Sequence, residues 1–136
     1  MVTKDQLAHF FKTDFPQADI VIESIGDKSA TIRKHINHNH LRPGGTVSGP
    51  VLMEVADAAL YAAILAEIGL QAMAVTTNLN INFLRKPAAD KDIIGECKLI
   101  KVGKLLVIGE VSLYSEGMSE PVAHAVATYA IPPPRS

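Results

Sequence analysis

The stretch SGPVLMEVADAALYAAILAEIG, Ser48 to Gly69, constrains this chain more than any other, because its apolar residues occupy nearly every side of a helix rather than one stripe. Gly49 is a tolerated N-cap, Pro50 sits where a first helical residue needs no N–H, and Gly69 supplies the stop, which predicts a helix over 50–69. At about 1.5 Å per residue the rod is roughly 28 Å long. The remaining chain must cover it almost all round. Only Glu54, Asp57, Tyr61 and Glu67 interrupt the apolar run, and the first three share one face at i, i+3 and i+7. Asp57 either marks the one wet edge of a core helix or is the residue on that face that carries chemistry. A membrane span is set aside, since the two carboxylates near its start are costly in lipid and the flanks lack anchoring residues.

The 136 residues are read as a single domain, 1–136, long enough to bury a core without staples. A net charge of −1 offers no general attraction to nucleic acid or to an anionic membrane. The N-terminal stretch MVTKDQLAHFFKTDF has no apolar secretory segment, so a cytoplasmic location is expected. The lone Cys97 lies in an alternating strand pattern and is read as a packed thiol rather than a nucleophile.

In chain order, Thr3 and Gln6 form a capping box, and Leu7, Phe10 and Phe11 recur at helical spacing, predicting a helix of about two turns over 4–12 that ends before Pro16. Residues 18–25 and 29–35 are β-branched and alternate about a GDK turn, so they read as a hairpin. INHNHLRPGGTVSG is a loop by composition and feeds the long helix. Beyond Gly69 the period becomes two. Thr76 to Leu84 places Thr77, Leu79, Ile81 and Phe83 on a core side, and Thr76, Asn78, Asn80 and Asn82 on a polar side. Ranges 92–102 and 105–115 form a second hairpin about Gly103-Lys104, Pro121 to Ile131 is a last strand, and the PPPRS tail ends it. The fold class is therefore α+β: a curled antiparallel sheet wrapped around one long central helix. The strand at 76–84 offers its backbone groups to a twin subunit.

With the SGPVLMEVAD stretch and this order of elements, the chain resembles the hotdog-fold acyl-CoA thioesterases, in particular the group related to phenylacetate-degradation (PaaI-like) thioesterases, over roughly residues 18–131. The family opens its helix with His-Gly-Gly and carries an acid eight residues after the first glycine. Gly49 and Asp57 keep that interval here. TTNLNINFLRKP is similar to the family's strand after the helix. Ser48 stands for the His, Pro50 for the second glycine, and Arg42 where the family commonly has Asn.

The resemblance implies hydrolysis of a small or medium acyl-CoA thioester, with Asp57 as nucleophile or general base, the Gly49 N–H as oxyanion donor and Thr76 as a hydroxyl positioning the attacking water. Arg42, Ser48, Pro50 and Tyr61 are candidate substrate contacts. Arg85 and Lys86, and less directly Lys101 and Lys104, are candidates for the coenzyme A phosphates. No cofactor is expected, coenzyme A being part of the substrate. Eight helical residues set Gly49 and Asp57 roughly 12 Å apart, whereas both must reach one carbonyl at about 3 Å. One subunit cannot do both. Two copies must pair, and a dimer of dimers is expected, with active sites at the dimer interface as the resemblance also implies.

His35, His38 and His40 invite a metal reading, but no Cys or acid stands at matching spacing, so no metal is assigned. His124 is read as a strand residue. Two other functions compete: a non-catalytic dimer that binds acyl-CoA or assembles, and hydratase or dehydratase chemistry on the same fold, for which no His pairs with the helix acid.

Overall fold

The computed structural model describes residues 2–133. Its first element, α1 (Lys4–Asp14), starts at the expected capping box: the Gln6 amide donates to Thr3 Oγ1 at 3.1 Å and the Thr3 amide to Gln6 Oε1 at 2.9 Å. It runs to Asp14, longer than the two turns expected, because only Pro16 forbids continuation. Leu7, Phe10 and Phe11 are buried, as their spacing required. A 3-10 turn over Pro16–Ala18 follows, so strand β1 begins at Val21 rather than at residue 18. β1 (Val21–Gly26) and β2 (Ser29–Lys34) form the expected hairpin, with Lys28 in the left-handed region at φ 52°.

The stretch expected to be loop is partly ordered. His38–His40 makes a 3-10 turn, and β3 (Leu41–Arg42) pairs with β4 (Thr46–Val47) in a two-rung ribbon. Composition gave no sign of it because the pairing is too short for a periodic pattern.

The central helix α2 spans Gly49–Ile68. Its N-cap is Ser48, whose Oγ accepts from the Val51 amide at 3.4 Å, and Gly49 is the first helical residue, one position later than the cap expected of it. At the other end Gly69 takes φ 107°, a conformation open to glycine, and its N–H donates to Leu65 O at 3.0 Å. Val55, Ala59, Leu60, Ile64 and Leu65 are fully shielded, each large apolar one contributing about 1.5–3 kcal/mol through removal from water.

What shields them is a six-stranded antiparallel sheet in the order β1-β2-β6-β7-β8-β5, where β5 is Val75–Phe83, β6 Ile93–Val102, β7 Leu106–Ser115 and β8 Ala123–Ala130. Alternate residues of β6, β7 and β8 face the helix. Helix and sheet approach closely where a side chain is missing. A Cβ on Gly109 would lie 2.5 Å from Leu60 Cδ1, and one on Gly95 3.2 Å from Val55 Cγ1. The last strand begins two residues after the expected Pro121 and ends one before the expected Ile131. Pro132 and Pro133 follow it, and the rest of the expected tail, 134–136, lies outside the described residues.

β5 is an edge strand, as expected of it, but its core side is poorer than its alternation suggests. Leu79 and Ile81 are half-buried, whereas Thr77 and Phe83 are exposed. A bulge between Thr76 and Asn78 shifts the register there, so Thr76, expected on the polar side, meets Asp57 of α2 while Thr77 is left exposed. Among the described residues no helix is long and apolar enough to cross a membrane.

Candidate active site

Asp57 lies in the third turn of α2, half-buried, with its carboxylate turned toward the β5–β8 pair. In that pair Thr76 stands directly opposite Tyr129. Both hydroxyls donate to the same oxygen: Thr76 Oγ1 is 2.5 Å and the Tyr129 hydroxyl 2.9 Å from Asp57 Oδ1. The carboxylate is thus held through one oxygen, and the other, Oδ2, carries no hydrogen bond among the described residues.

Asp57, Thr76 and Tyr129 line a cavity of about 470 Å³ together with Tyr61, with Phe10, Asp14 and Phe15 from α1 and its end, and with the 72–75 segment. Tyr129 is 3% exposed, and burial followed by the nearby Asp57 charge pushes its phenol well above the ordinary tyrosine range. That shift favours the protonated hydroxyl that donates to Asp57. The Tyr61 ring stacks on Tyr129 at 5.8 Å and 22°, its hydroxyl donates to Ala72 O at 3.1 Å, and burial with Asp14 raises its phenol as well. Phe10, Phe11 and Phe15 meet Tyr61 edge-on.

The expected polar face of α2 is divided. Tyr61 joins Asp57, but Glu54 turns outward and pairs with the buried Lys34 at 3.3 Å, where Lys34 Nζ also donates to Ala18 O at 2.9 Å. Gly49 lines a different cavity, of about 420 Å³, with Arg42, Phe83, Arg85 and Lys86. Arg42 and Lys86 are exposed and form no ion pair among the described residues. Arg85 is already engaged, its Nε 3.0 Å from Glu120 and its Nη1 donating to Pro121 O at 2.8 Å. Ser48 is occupied as the helix cap, Pro50 is exposed on the first turn, and neither lines the two cavities. Lys101 and Lys104 lie at the far hairpin, outside both.

Tyr129 is the site residue that the sequence reading missed. The signal was present: Ala123, Ala125, Ala127 and Tyr129 alternate on the inward side of β8, and a tyrosine facing a core needs a partner for its hydroxyl.

The loop histidines are dispersed. His35 Nδ1 is 2.8 Å from Asp92, His40 Nδ1 accepts from the Asn37 amide at 2.9 Å, and no cluster of His, Cys and acids among the described residues is arranged to hold a metal ion. His124 is on β8 as expected, 3.6 Å from Glu110. Cys97 is buried, and burial followed by the charge of Glu110 pushes its thiol up to about 12.

Comparison with known proteins places these features. The model of the thioesterase superfamily matches residues 44–122, which include both Gly49 and Asp57. A crystal structure of a provisionally assigned thioesterase from a Silicibacter species is 42% identical, covers 98% of this chain and 94% of its own, and superimposes with a TM-score of 0.91. Zebrafish thioesterase superfamily member 2 shares the fold at 18% identity, with 97% and 100% of the two chains covered and a TM-score of 0.85. The E. coli PaaI protein of the phenylacetic acid degradation operon shares it at 19% identity, with 93% and 94% covered and a TM-score of 0.77. No curated protein matches the chain.

Proposed function

The chain belongs to the thioesterase superfamily and has its hotdog fold, and from that premise we propose that it hydrolyses acyl-CoA thioesters at two sites, each shared between two copies of the chain. The observation that carries the proposal is the half-fixed carboxylate: Asp57 is held through Oδ1, and its unbonded Oδ2 belongs to a residue on the wall of a cavity. A carboxylate so held takes a proton from water as the water oxygen attacks the thioester carbon. The carbonyl electrons move onto oxygen, and the tetrahedral intermediate collapses by breaking the carbon–sulfur bond. The thiolate then takes the proton back from Asp57, giving free acid and coenzyme A. Direct attack by Oδ2, through a mixed anhydride that water then opens, needs the same geometry.

The developing oxyanion requires a donor, and the Gly49 N–H at the start of α2 supplies one backed by the helix dipole. In one copy Gly49 and Asp57 line separate cavities, so the donor must come from the partner subunit's Gly49. Arg42 and Lys86 beside Gly49 would then meet the nucleotide phosphates of coenzyme A while the acyl group enters the aromatic-walled cavity beside Asp57.

Mixing two inactive variants tests the shared site. Asp57→Asn and Gly49→Pro, which deletes the amide hydrogen, should each lack activity alone. Unfolded and refolded together, each mixed dimer should regain one working site, read as thiol release from a panel of acyl-CoAs. No regain in dimers shown to be mixed would sink the shared site. Thermal stabilisation by acyl-CoA without turnover in the unmodified protein would favour a binding role instead.

A further inference from the structure

We infer that Tyr129 is a positioning residue for the reaction, which with Thr76 commits Asp57 Oδ1 to hydrogen bonding and reserves Oδ2 for the reacting water or thioester; the inference rests on Asp57 being the reactive carboxylate. Three observations converge on it. Both hydroxyls reach the same oxygen, at 2.5 Å and 2.9 Å, and none among the described residues reaches the other. Thr76 and Tyr129 are register partners across β5 and β8, so the sheet itself sets their spacing and presents them to the helix as a pair. Tyr129 is buried in a structure that fixes its ring: Tyr61 stacks on it, and Tyr61 is in turn tied to Ala72 O and packed by the phenylalanines of α1.

The chemical consequence concerns rotation. A carboxylate on a two-torsion side chain presents either oxygen in turn unless one is held, and a reactive oxygen that is displaced by an ångström loses much of its rate advantage. Thr76 alone does not suffice for this, because it is exposed and lies beside the β5 bulge. Tyr129 approaches from the covered side, where water does not compete for the bond. Its hydroxyl also lies 3.4 Å from the Asp57 backbone oxygen, so that the phenol spans the main chain and the side chain of one residue.

Tyr129→Phe removes the hydroxyl and keeps the ring in its stack. The expected result is a fall in kcat of about ten- to hundredfold, the range for losing one hydrogen bond to a charged group, with KM for acyl-CoA little changed. The acid limb of the kcat/KM profile should move to higher pH, since a donor to the charged carboxylate has been taken away. A purely structural role would instead lower the melting temperature and leave both kcat and the profile of the folded fraction as they were, and that outcome overturns the inference. Should Tyr129→Phe fail to fold, 3-fluorotyrosine placed at position 129 keeps ring, hydroxyl and volume while donating more strongly. The acid limb should then move to lower pH, and an unmoved limb overturns the inference. Asp57→Asn separates the two levels. If it retains turnover, the assignment of the reactive carboxylate fails; if it is inactive while Tyr129→Phe keeps full kcat, only the role of Tyr129 fails.

Discussion

Gly49 and Asp57 stand on one helix, the first residue and a third-turn residue of α2, yet they line two separate cavities. A helix is stiff, so nothing in one copy brings the Gly49 amide to the Asp57 carboxylate. Catalysis by these two groups therefore requires association, and dilution below the dimer dissociation constant should abolish specific activity while leaving Asp57 and its hydroxyl partners in place.

Asp57→Asn keeps an oxygen that can accept from Thr76 and Tyr129 but cannot take a proton from water. Turnover of acyl-CoA should fall by at least about a hundredfold, the lower range for removing a general base. Circular dichroism and oligomeric state should be unchanged. Retained turnover would move the base elsewhere, to Glu54 first, although Glu54 is turned toward Lys34.

Arg42→Glu with Lys86→Glu reverses two exposed cations beside Gly49. If they meet coenzyme A phosphates, KM for acyl-CoA should rise about tenfold or more and then fall as salt is added, the reverse of the dependence in the unmodified protein. Hydrolysis of the matching acyl-pantetheine, which lacks the nucleotide, should be unaffected. An equal loss on both substrates would place the effect at the thioester instead.

Gly109→Ala puts a methyl group 2.5 Å from Leu60 Cδ1, inside a core where Leu60 is fully shielded and has little room to move. A destabilisation of about 1–3 kcal/mol is expected from overpacking, measured by urea denaturation. In a Leu60→Val background the same change should cost much less, because the two sites share one volume. Additive losses would mean that the sheet, rather than Leu60, gives way.

Cys97 supplies a pH test. Its folded thiol is pushed up to about 12 against an ordinary 9.0, so above pH 9 the unfolded chain gives up a proton that the folded chain keeps. The unfolded state binds fewer protons, and stability falls as pH rises, by about 1 kcal/mol from this group between pH 9 and 10. Cys97→Val should flatten that part of the stability curve. At pH 8 a thiol reagent should label the native protein only as fast as the core opens.

The curled sheet and its buried helix were legible because both depend on long patterns. A helix that is apolar on every side has one kind of solution, and the clean alternation of β6, β7 and β8 supplied it. Gly49 and Asp57 were legible as a motif. Less so were features that depend on local competition. Ser48 rather than Gly49 caps α2 because its hydroxyl reaches the Val51 amide, a distinction that a glycine-tolerant position does not reveal. Thr77 is exposed because the β5 bulge takes it out of step, which alternation within one strand does not report, and Phe83 keeps the alternation yet stays exposed at the end of the strand. Tyr129 depends on register: only the pairing of β5 with β8 places it opposite Thr76, and periodicity within one strand carries no register.

The order of strands also determines when the protein can exist. β2 finds its second neighbour in β6, and β8 lies between β7 and β5, so the wrapping around α2 is complete only after the final strand has been made. A ribosome releasing this chain exposes a greasy rod early and its cover late. The emerging polypeptide therefore needs shelter until its last segment is free, and any truncation before Ala130 should yield insoluble material rather than a smaller working domain.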